Sequence, residues 1–356
     1  MMRNVPCSGT VLKGGEALSG HNPDVWESGV LYENPWAPKV PIAPPVKTAG
    51  SAPSTKSAKS TPRAIAAPQV PFKPLMTILV AACLAFCAGT GYLVYYAADT
   101  GLQEGRARQI QALYPADFDA EDRGKDGALR DFGALRAANS DCVGWLRIPG
   151  AGVDLPVMLA DDTYYLTHDA QRNKSRFGAL FLDSGNVIAR NGQSANLSVF
   201  GHNTKNGSMF GQLHRYRDLD FYQNNAVIQF DTLYARRSWV VFAVFITNAE
   251  APQDYGHVFE WREQSLATPE NIRAFARALK ARSIIDTGVD VRPGDKLLSL
   301  TTCTYEIKGG RLVVFARALR QGETPPDPLR AGLNPAPLYP AAWYVNYGGE
   351  KPDTDF

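Results

Sequence analysis

Hydrophobic and polar positions divide the chain into three textures. The first break is a run without a single charge, PLMTILVAACLAFCAGTGYLVYYAA, from Pro74 to Ala98. It is apolar all round rather than striped, and as a helix it would extend roughly 37 Å, enough to cross a bilayer with some tilt. Tyr92, Tyr95 and Tyr96 cluster at one end, where an interfacial aromatic belt would sit. Beyond it, ALRDFGALRAAN spaces Leu129, Phe132, Leu135 and Arg136 on one helical face. The pattern then changes to short apolar runs separated by turn residues: VGWLRIP, VDLPVML, GALFLD, ANLSVFGH, NAVIQFD, SWVVFAVFIT, DKLLSLTTC and RLVVFARAL. One helix interrupts them. In TPENIRAFARALKARSI, Thr268 is a natural N-cap, Pro269 suits the first helical position, and Ile272, Phe275, Ala276 and Leu279 share a face. The expected fold is mainly β: a closed barrel of seven to eight strands, with an N-terminal helix and a helix before the last two strands.

Charge orients this plan. Lys39, Lys47, Lys56, Lys59, Arg63 and Lys73 precede the apolar run with no acid among them, whereas Asp99 and Glu104 mix with Arg106 and Arg108 after it. The positive-inside rule then puts the N-terminus in the cytoplasm and everything past Asp99 outside. About 73 residues precede the apolar run, which argues against a cleaved signal peptide. Pro35 to Pro74 holds ten prolines among Ala, Ser, Thr and Lys, a composition that cannot bury a core. The expected organisation is a disordered cytoplasmic tail (1–73), a membrane anchor (74–98), a linker with the N-terminal helix (99–138), the barrel (139–320) and a C-terminal extension (321–356). That extension is rich in Pro and Gly, carries Trp343, Tyr344 and Tyr347, and has no explanation in the pattern alone. A net charge of +2 on 356 residues argues against a nucleic-acid partner. The five cysteines form no metal-type CxxC pair, so neither metal nor other cofactor is expected; a Cys142–Cys303 disulfide is a minor alternative.

The candidate chemistry is at Cys303. Leu298 and Leu300 can fill one face of its strand, but Thr301, Thr302 and Thr304 are hydroxylic, which puts the cysteine where the strand leaves the core. A nucleophilic thiol needs partial exposure, a nearby positive charge and a proton carrier. If Lys308-Gly309-Gly310 turns the chain, Arg311 opens the antiparallel neighbour and supplies the charge. Among the five histidines, His202 stands at a strand end in LSVFGHNTKNGSMFGQL; His168, His214 and His257 lie in polar surroundings that suit solvent exposure, and His21 is in the tail.

The blocks NSDCVGWLRIPGAGVDLPVM, DDTYYLTHD, GALFLDSGN, VFGHNTKNGSMFGQL and LSLTTCTYEIKGGRLVVFARAL, in order from about Asn139 to Leu319, resemble the class B sortases of Gram-positive bacteria. The resemblance implies a sortase-type barrel and a cysteine transpeptidase, with Cys303 as nucleophile, His202 as general acid/base and Arg311 as the essential arginine. It also implies substrate-side roles for Thr301, Leu166 and Asp162, the last an Asp where the family usually has Asn. The implied activity cleaves a Thr-containing sorting signal resembling Asn-Pro-x-Thr. The implied partners are surface proteins bearing that signal, a cell-wall precursor amine as acceptor, and membrane lipid around the anchor. Two alternatives stand beside it: a pilin-polymerising sortase using a pilin Lys as acceptor, and a non-catalytic, membrane-tethered peptide-binding module.

Overall fold

The computed structural model describes residues 72–114, 122–161, 163–255, 258–262 and 266–350. The Pro-rich tail through residue 71, Asp162 and His257 therefore lie outside the described residues.

The uncharged run lies in a single helix, α1 (Phe72–Gln111). It is long and apolar enough to cross a membrane. The helix does not end with the apolar run, because Asp99 to Gln111 contains no Pro and its two glycines, Gly101 and Gly105, are tolerated. From Tyr96 onward it is held to the barrel domain by polar contacts. The Arg176 guanidinium sits 3.8 Å over the Tyr96 ring and pairs with Asp99 at 3.0 Å, and Arg106 reaches Asp169 at 3.4 Å. The expected N-terminal helix is α2 (Phe132–Ala138), which buries Phe132 and Leu135; Leu129 is buried just ahead of it.

All eight short runs become strands of one closed barrel. They are β1 (Cys142–Ile148), β2 (Val153–Met158), β3 (Leu180–Leu182), β4 (Asn196–Phe200), β5 (Val227–Thr232), β6 (Ser238–Asn248), β7 (Leu297–Cys303) and β8 (Gly310–Ala318). Around the barrel the order is β1-β2-β3-β4-β7-β8-β6-β5, closing on β1. A short helix, α3 (Leu219–Asn225), precedes β5, its Asp218 N-cap accepting from the Phe221 amide. The helix between β6 and β7 is α4 (Pro269–Arg282), in which the Thr268 hydroxyl accepts from the Asn271 amide and Ile272, Phe275, Ala276 and Leu279 are buried, as the spacing predicts.

Why β6 and β8 read as unbroken apolar runs follows from α4. Leu298 and Leu300 of β7, Val314 and Ala316 of β8, and Val241 and Val244 of β6 pack in the barrel interior. The alternate residues Val313, Phe315, Phe242 and Phe245 form a second layer with Phe275 and Leu279 of α4. Both faces of this part of the sheet are covered, so no polar face is needed. Each fully buried Leu or Phe stabilises the fold by about 1.5–3 kcal/mol.

The described part of the C-terminal extension, through residue 350, folds against this domain. Gly332–Leu333 pairs antiparallel with Ile285–Asp286, and a final helix, α5 (Ala341–Tyr347), buries Ala342. Trp343 stacks on Tyr339 at 4.3 Å and on Tyr347 at 4.5 Å.

Candidate active site

Strand register brings the candidate residues together. β4 and β7 run parallel, with Asn196 opposite Leu297 and Phe200 opposite Thr301, a constant offset of 101 positions (297 − 196 and 301 − 200). His202 and Cys303 differ by the same 101. Both leave adjacent parallel strands at the same end, and neighbouring strands lie about 4.8 Å apart. On the other side of β7, Cys303 is the direct antiparallel partner of Arg311 on β8. His202, Cys303 and Arg311 thus form a row across three neighbouring strands.

The row faces outward. Alternation along β7 sends Leu298 and Leu300 into the barrel and places Leu297, Thr301 and Cys303 on the other face. Thr301 is buried there, its hydroxyl accepting from the Trp261 indole at 3.3 Å. Beyond that cover Cys303 is half-buried. The form of this cysteine able to act as a nucleophile is the reduced thiolate. Cys142 is not disulfide-bonded to it: it is a free thiol, 1 % exposed at the start of β1, and burial pushes its pKa up to about 12. Such a thiol is not a nucleophile at neutral pH.

The segment carrying His202 is tied to the end of β7 three times. The Gly201 amide donates to the Thr301 carbonyl at 3.2 Å, the Thr302 hydroxyl to the Gly201 carbonyl at 2.8 Å, and the Asn203 side-chain amide to the Cys303 carbonyl at 2.9 Å. The rest of the His-Asn-x-x-x-Gly-x-Met-Phe block folds back on itself. Asn203 bridges to Met209, the Phe210 amide donates to the His202 carbonyl, and Phe210 is fully buried. The block is thus a loop built to hold one histidine.

His202 Nε2 lies 2.8 Å from the Leu166 carbonyl. A carbonyl only accepts, so Nε2 carries the hydrogen and Nδ1 remains available to take or give a proton. Leu166 therefore does reach the site, but the contact is through its backbone. Gly178 makes room for this arrangement: its φ is +61°, and a Cβ there would stand 2.4 Å from the Tyr165 carbonyl and 3.2 Å from His202. The other histidines differ from one another. His214 is exposed, but His168 is half-buried, stacked on Tyr164 at 4.2 Å, so solvent exposure does not describe it.

Arg311 differs from the expected partly exposed strand-end cation. It is 3 % exposed, and its Nη1 donates to the Gly309 and Gly310 carbonyls at 3.1 Å each. Burial lowers its pKa to about 10, Glu250 opposing the effect and Arg262 adding to it, so the guanidinium stays charged at neutral pH. Arg317, six residues on, is fully buried in an ion cluster with Asp290 and Glu323. Two neighbours of the site escaped the sequence reading. Asn203 could have been found from its place beside His202, whereas Trp261 lies in a segment with no periodic signal.

Comparison with known proteins agrees with this architecture. Residues 146–319 match the family model described as the sortase domain. The chain is 29% identical over 200 residues to sortase B of Listeria monocytogenes, covering 55% of this chain and 77% of the relative. To sortase B of Staphylococcus aureus it is 26% identical over 192 residues, covering 53% and 75%. The crystal structure of sortase B from B. anthracis in complex with AAEK1 superposes with a TM-score of 0.54 at 26% identity, covering 63% of this chain and 99% of that one. Barrel and relatives together define a cysteine transpeptidase. The family model that residues 146–319 match is that of the sortases, and the relatives to which the chain is similar are of class B.

Proposed function

We propose that the chain is a membrane-anchored sortase that cleaves a Thr-containing sorting signal and transfers the protein to a cell-wall amine. α1 holds it with the N-terminus in the cytoplasm and the barrel outside. The observation that carries the catalytic reading is the row His202–Cys303–Arg311 across β4, β7 and β8.

The steps follow from the chemistry of these groups. The reduced Cys303 sulfur, as thiolate, attacks the carbonyl carbon of the signal's Thr, and the π electrons move onto oxygen. Arg311 and backbone N–H groups steady the oxyanion, the contribution such donors make to acyl transfer. The C–N bond then breaks, with His202 passing a proton from Nδ1 to the departing amine. A thioester remains on Cys303. An acceptor amine attacks it, gives its proton to His202, forms the new amide and releases the thiolate. Dividing one amide exchange into two acyl transfers is what the covalent nucleophile provides. The membrane anchor raises the effective concentration of substrates that are also membrane-held.

The half-buried setting of Cys303, directly opposite Arg311 in the register, favours catalysis over plain peptide binding. Anchoring to the wall and joining of pilin subunits share these steps and differ in the accepting amine. The test is mass spectrometry of the reduced enzyme incubated with Asn-Pro-x-Thr-type peptides. An adduct of the peptide's acyl part on Cys303, released by an added amine, is expected. Normal turnover by Cys303→Ala would refute the assignment.

A further inference from the structure

We infer that the C-terminal extension is a positioning element for the reaction: α5 staples together the two loops that flank the Cys303–Arg311 pair. This rests on the reading of Cys303 as the nucleophile. The sortase-domain match ends at residue 319, so everything that builds the staple after Arg320 lies outside it.

The extension is fixed along its path. Glu323 holds Arg317 at 2.6 Å, the Asn334 side chain donates to the Ser283 carbonyl at 2.7 Å, and the Leu338 amide donates to the Ala281 carbonyl at 3.0 Å. These contacts run up one end of α4 and deliver α5 to the active-site side. There α5 touches two loops with its two ends. At its start, the Ala342 amide donates to the Asp254 carboxylate at 2.8 Å. Asp254 is 3 % exposed and lies in the segment after β6, between Glu250, which acts on the Arg311 charge, and Trp261, which covers Thr301. At its end, the Tyr347 hydroxyl donates to the Glu306 carbonyl at 3.0 Å. Glu306 is in the turn between β7 and β8, the one stretch of chain that joins Cys303 to Arg311.

That turn also has holds within the barrel domain, which α5 supplements. The Glu306 carboxylate accepts from the Thr304 hydroxyl at 2.9 Å and pairs with Arg217 at 2.8 Å. Ile307 anchors it in the barrel core, and the Asn248 side chain donates to the Lys308 carbonyl at 3.0 Å. The aromatic stack of Tyr339, Trp343 and Tyr347 stiffens α5 between its two attachments, with Tyr339 and Trp343 packed on the same core. A seven-residue helix gains little stability by itself. Its attachments instead set the spacing of the two loops, and with it the placement of Arg311 opposite the sulfur. A misplacement near 1 Å can cost about 10²-fold in rate.

The test uses the full chain in detergent with reductant, comparing wild type, Tyr347→Phe and a deletion of residues 339–356. Kinetics are measured per titrated active site on a Thr-containing sorting peptide, together with Tm. Tyr347→Phe removes one partly exposed hydrogen bond, and the expected result is about a threefold fall in kcat, with KM and Tm unchanged. The deletion should lower kcat about tenfold with KM within about twofold, the pattern of an interaction made only in the transition state. A purely structural tail would lower Tm and leave kcat per active site intact, and that result would overturn the inference. If the deletion fails to fold, Tyr347→Phe decides alone, wild-type kcat being the refuting result. If wild type itself cleaves no peptide, the proposed function fails first. The same variants are then read by the pH profile of Cys303 alkylation, where identical rates and profiles would refute the positioning role.

Discussion

Arg311→Lys separates charge from geometry at this site. The guanidinium spans two carbonyls, Gly309 and Gly310, from one nitrogen. Lysine keeps the charge on one flexible point and loses the planar fork. Loss of one oxyanion-type donor costs about 10²–10³ in rate, so Arg311→Lys should fall nearly as far as Arg311→Ala. The structure adds a pH signature. Burial takes Arg311 from 12.5 to about 10; the same burial would move a lysine there from its ordinary value of about 10.4 down to a lower one. Its cationic form would exist below that value and be lost above it. Whatever activity Arg311→Lys retains should therefore decline toward alkaline pH, a limb that Arg311 does not contribute to wild type. Stability also moves, because the residue is 3 % exposed. Arg311→Ala removes two hydrogen bonds, together about 1–3 kcal/mol, while the Ala249 and Thr304 amides still serve the Gly309 and Gly310 carbonyls; for a domain of this size that is a Tm loss of about 2–12 °C. The assay is kcat/KM against pH, per titrated active site, with Tm recorded for each variant. Near wild-type kcat/KM in Arg311→Lys at neutral pH would refute the geometric role.

Cys142→Ala should leave peptide cleavage and acyl-enzyme formation within about twofold, since a thiol with a pKa of about 12 takes no part at neutral pH; a loss comparable to that of Cys303→Ala would contradict the assignment. Arg317→Ala should destabilise the fold by about 1.5–3 kcal/mol in chemical denaturation, because it removes charge-assisted hydrogen bonds from Asp290 and Glu323, which stay paired with Arg320; a change below about 0.5 kcal/mol would show the cluster to be inert. The Arg317 guanidinium holds the Glu323 carboxyl down at about 2, below its ordinary 4.5. This contribution is fully present above pH 4.5 and is lost as pH falls toward 2, so the Tm difference between wild type and Glu323→Gln should shrink across that window. Protease added to intact protoplasts should remove the barrel and spare the first 70 or so residues, and the reverse pattern would sink the proposed topology.

The barrel was legible because its strands are short, bounded by Gly, Pro and Asn, and too apolar to be anything but covered. The cap at Thr268 and the Ile272–Phe275–Ala276–Leu279 face located α4 for equally local reasons. Burial of Arg311 was not legible. A charged residue opening a strand reads as a surface residue, and only the return of the chain through Glu250 and Arg262 encloses it. The same limit hid the extension: its composition signals turns, yet its fixed path depends on backbone partners at Ala281, Ser283 and Ile284, which no periodicity in residues 321–350 encodes.

The site shows where local pattern ends and topology begins. A separation of 101 residues between His202 and Cys303 carries no information about distance in a chain of unknown fold. It becomes informative once β4 and β7 pair in parallel, because every residue of β4 then faces the residue 101 positions later. Parallel pairing also makes both strands end on the same side, so the two residues just past the last shared pair, Phe200 and Thr301, emerge together. Antiparallel pairing of β7 with β8 does the complementary work: the short connection after Cys303 brings the second residue of the next strand, Arg311, back opposite it. One parallel and one antiparallel neighbour are the arrangement in which a strand end, a loop start and a hairpin return converge on one edge of a barrel. Insertion of a single residue into β4 between Asn196 and Phe200 would leave the apolar composition intact but break the 101 offset. It would also turn Leu197 and Val199 out of the barrel relative to the residues that follow. The row of three groups therefore depends on barrel register as directly as it does on the identities of the residues themselves.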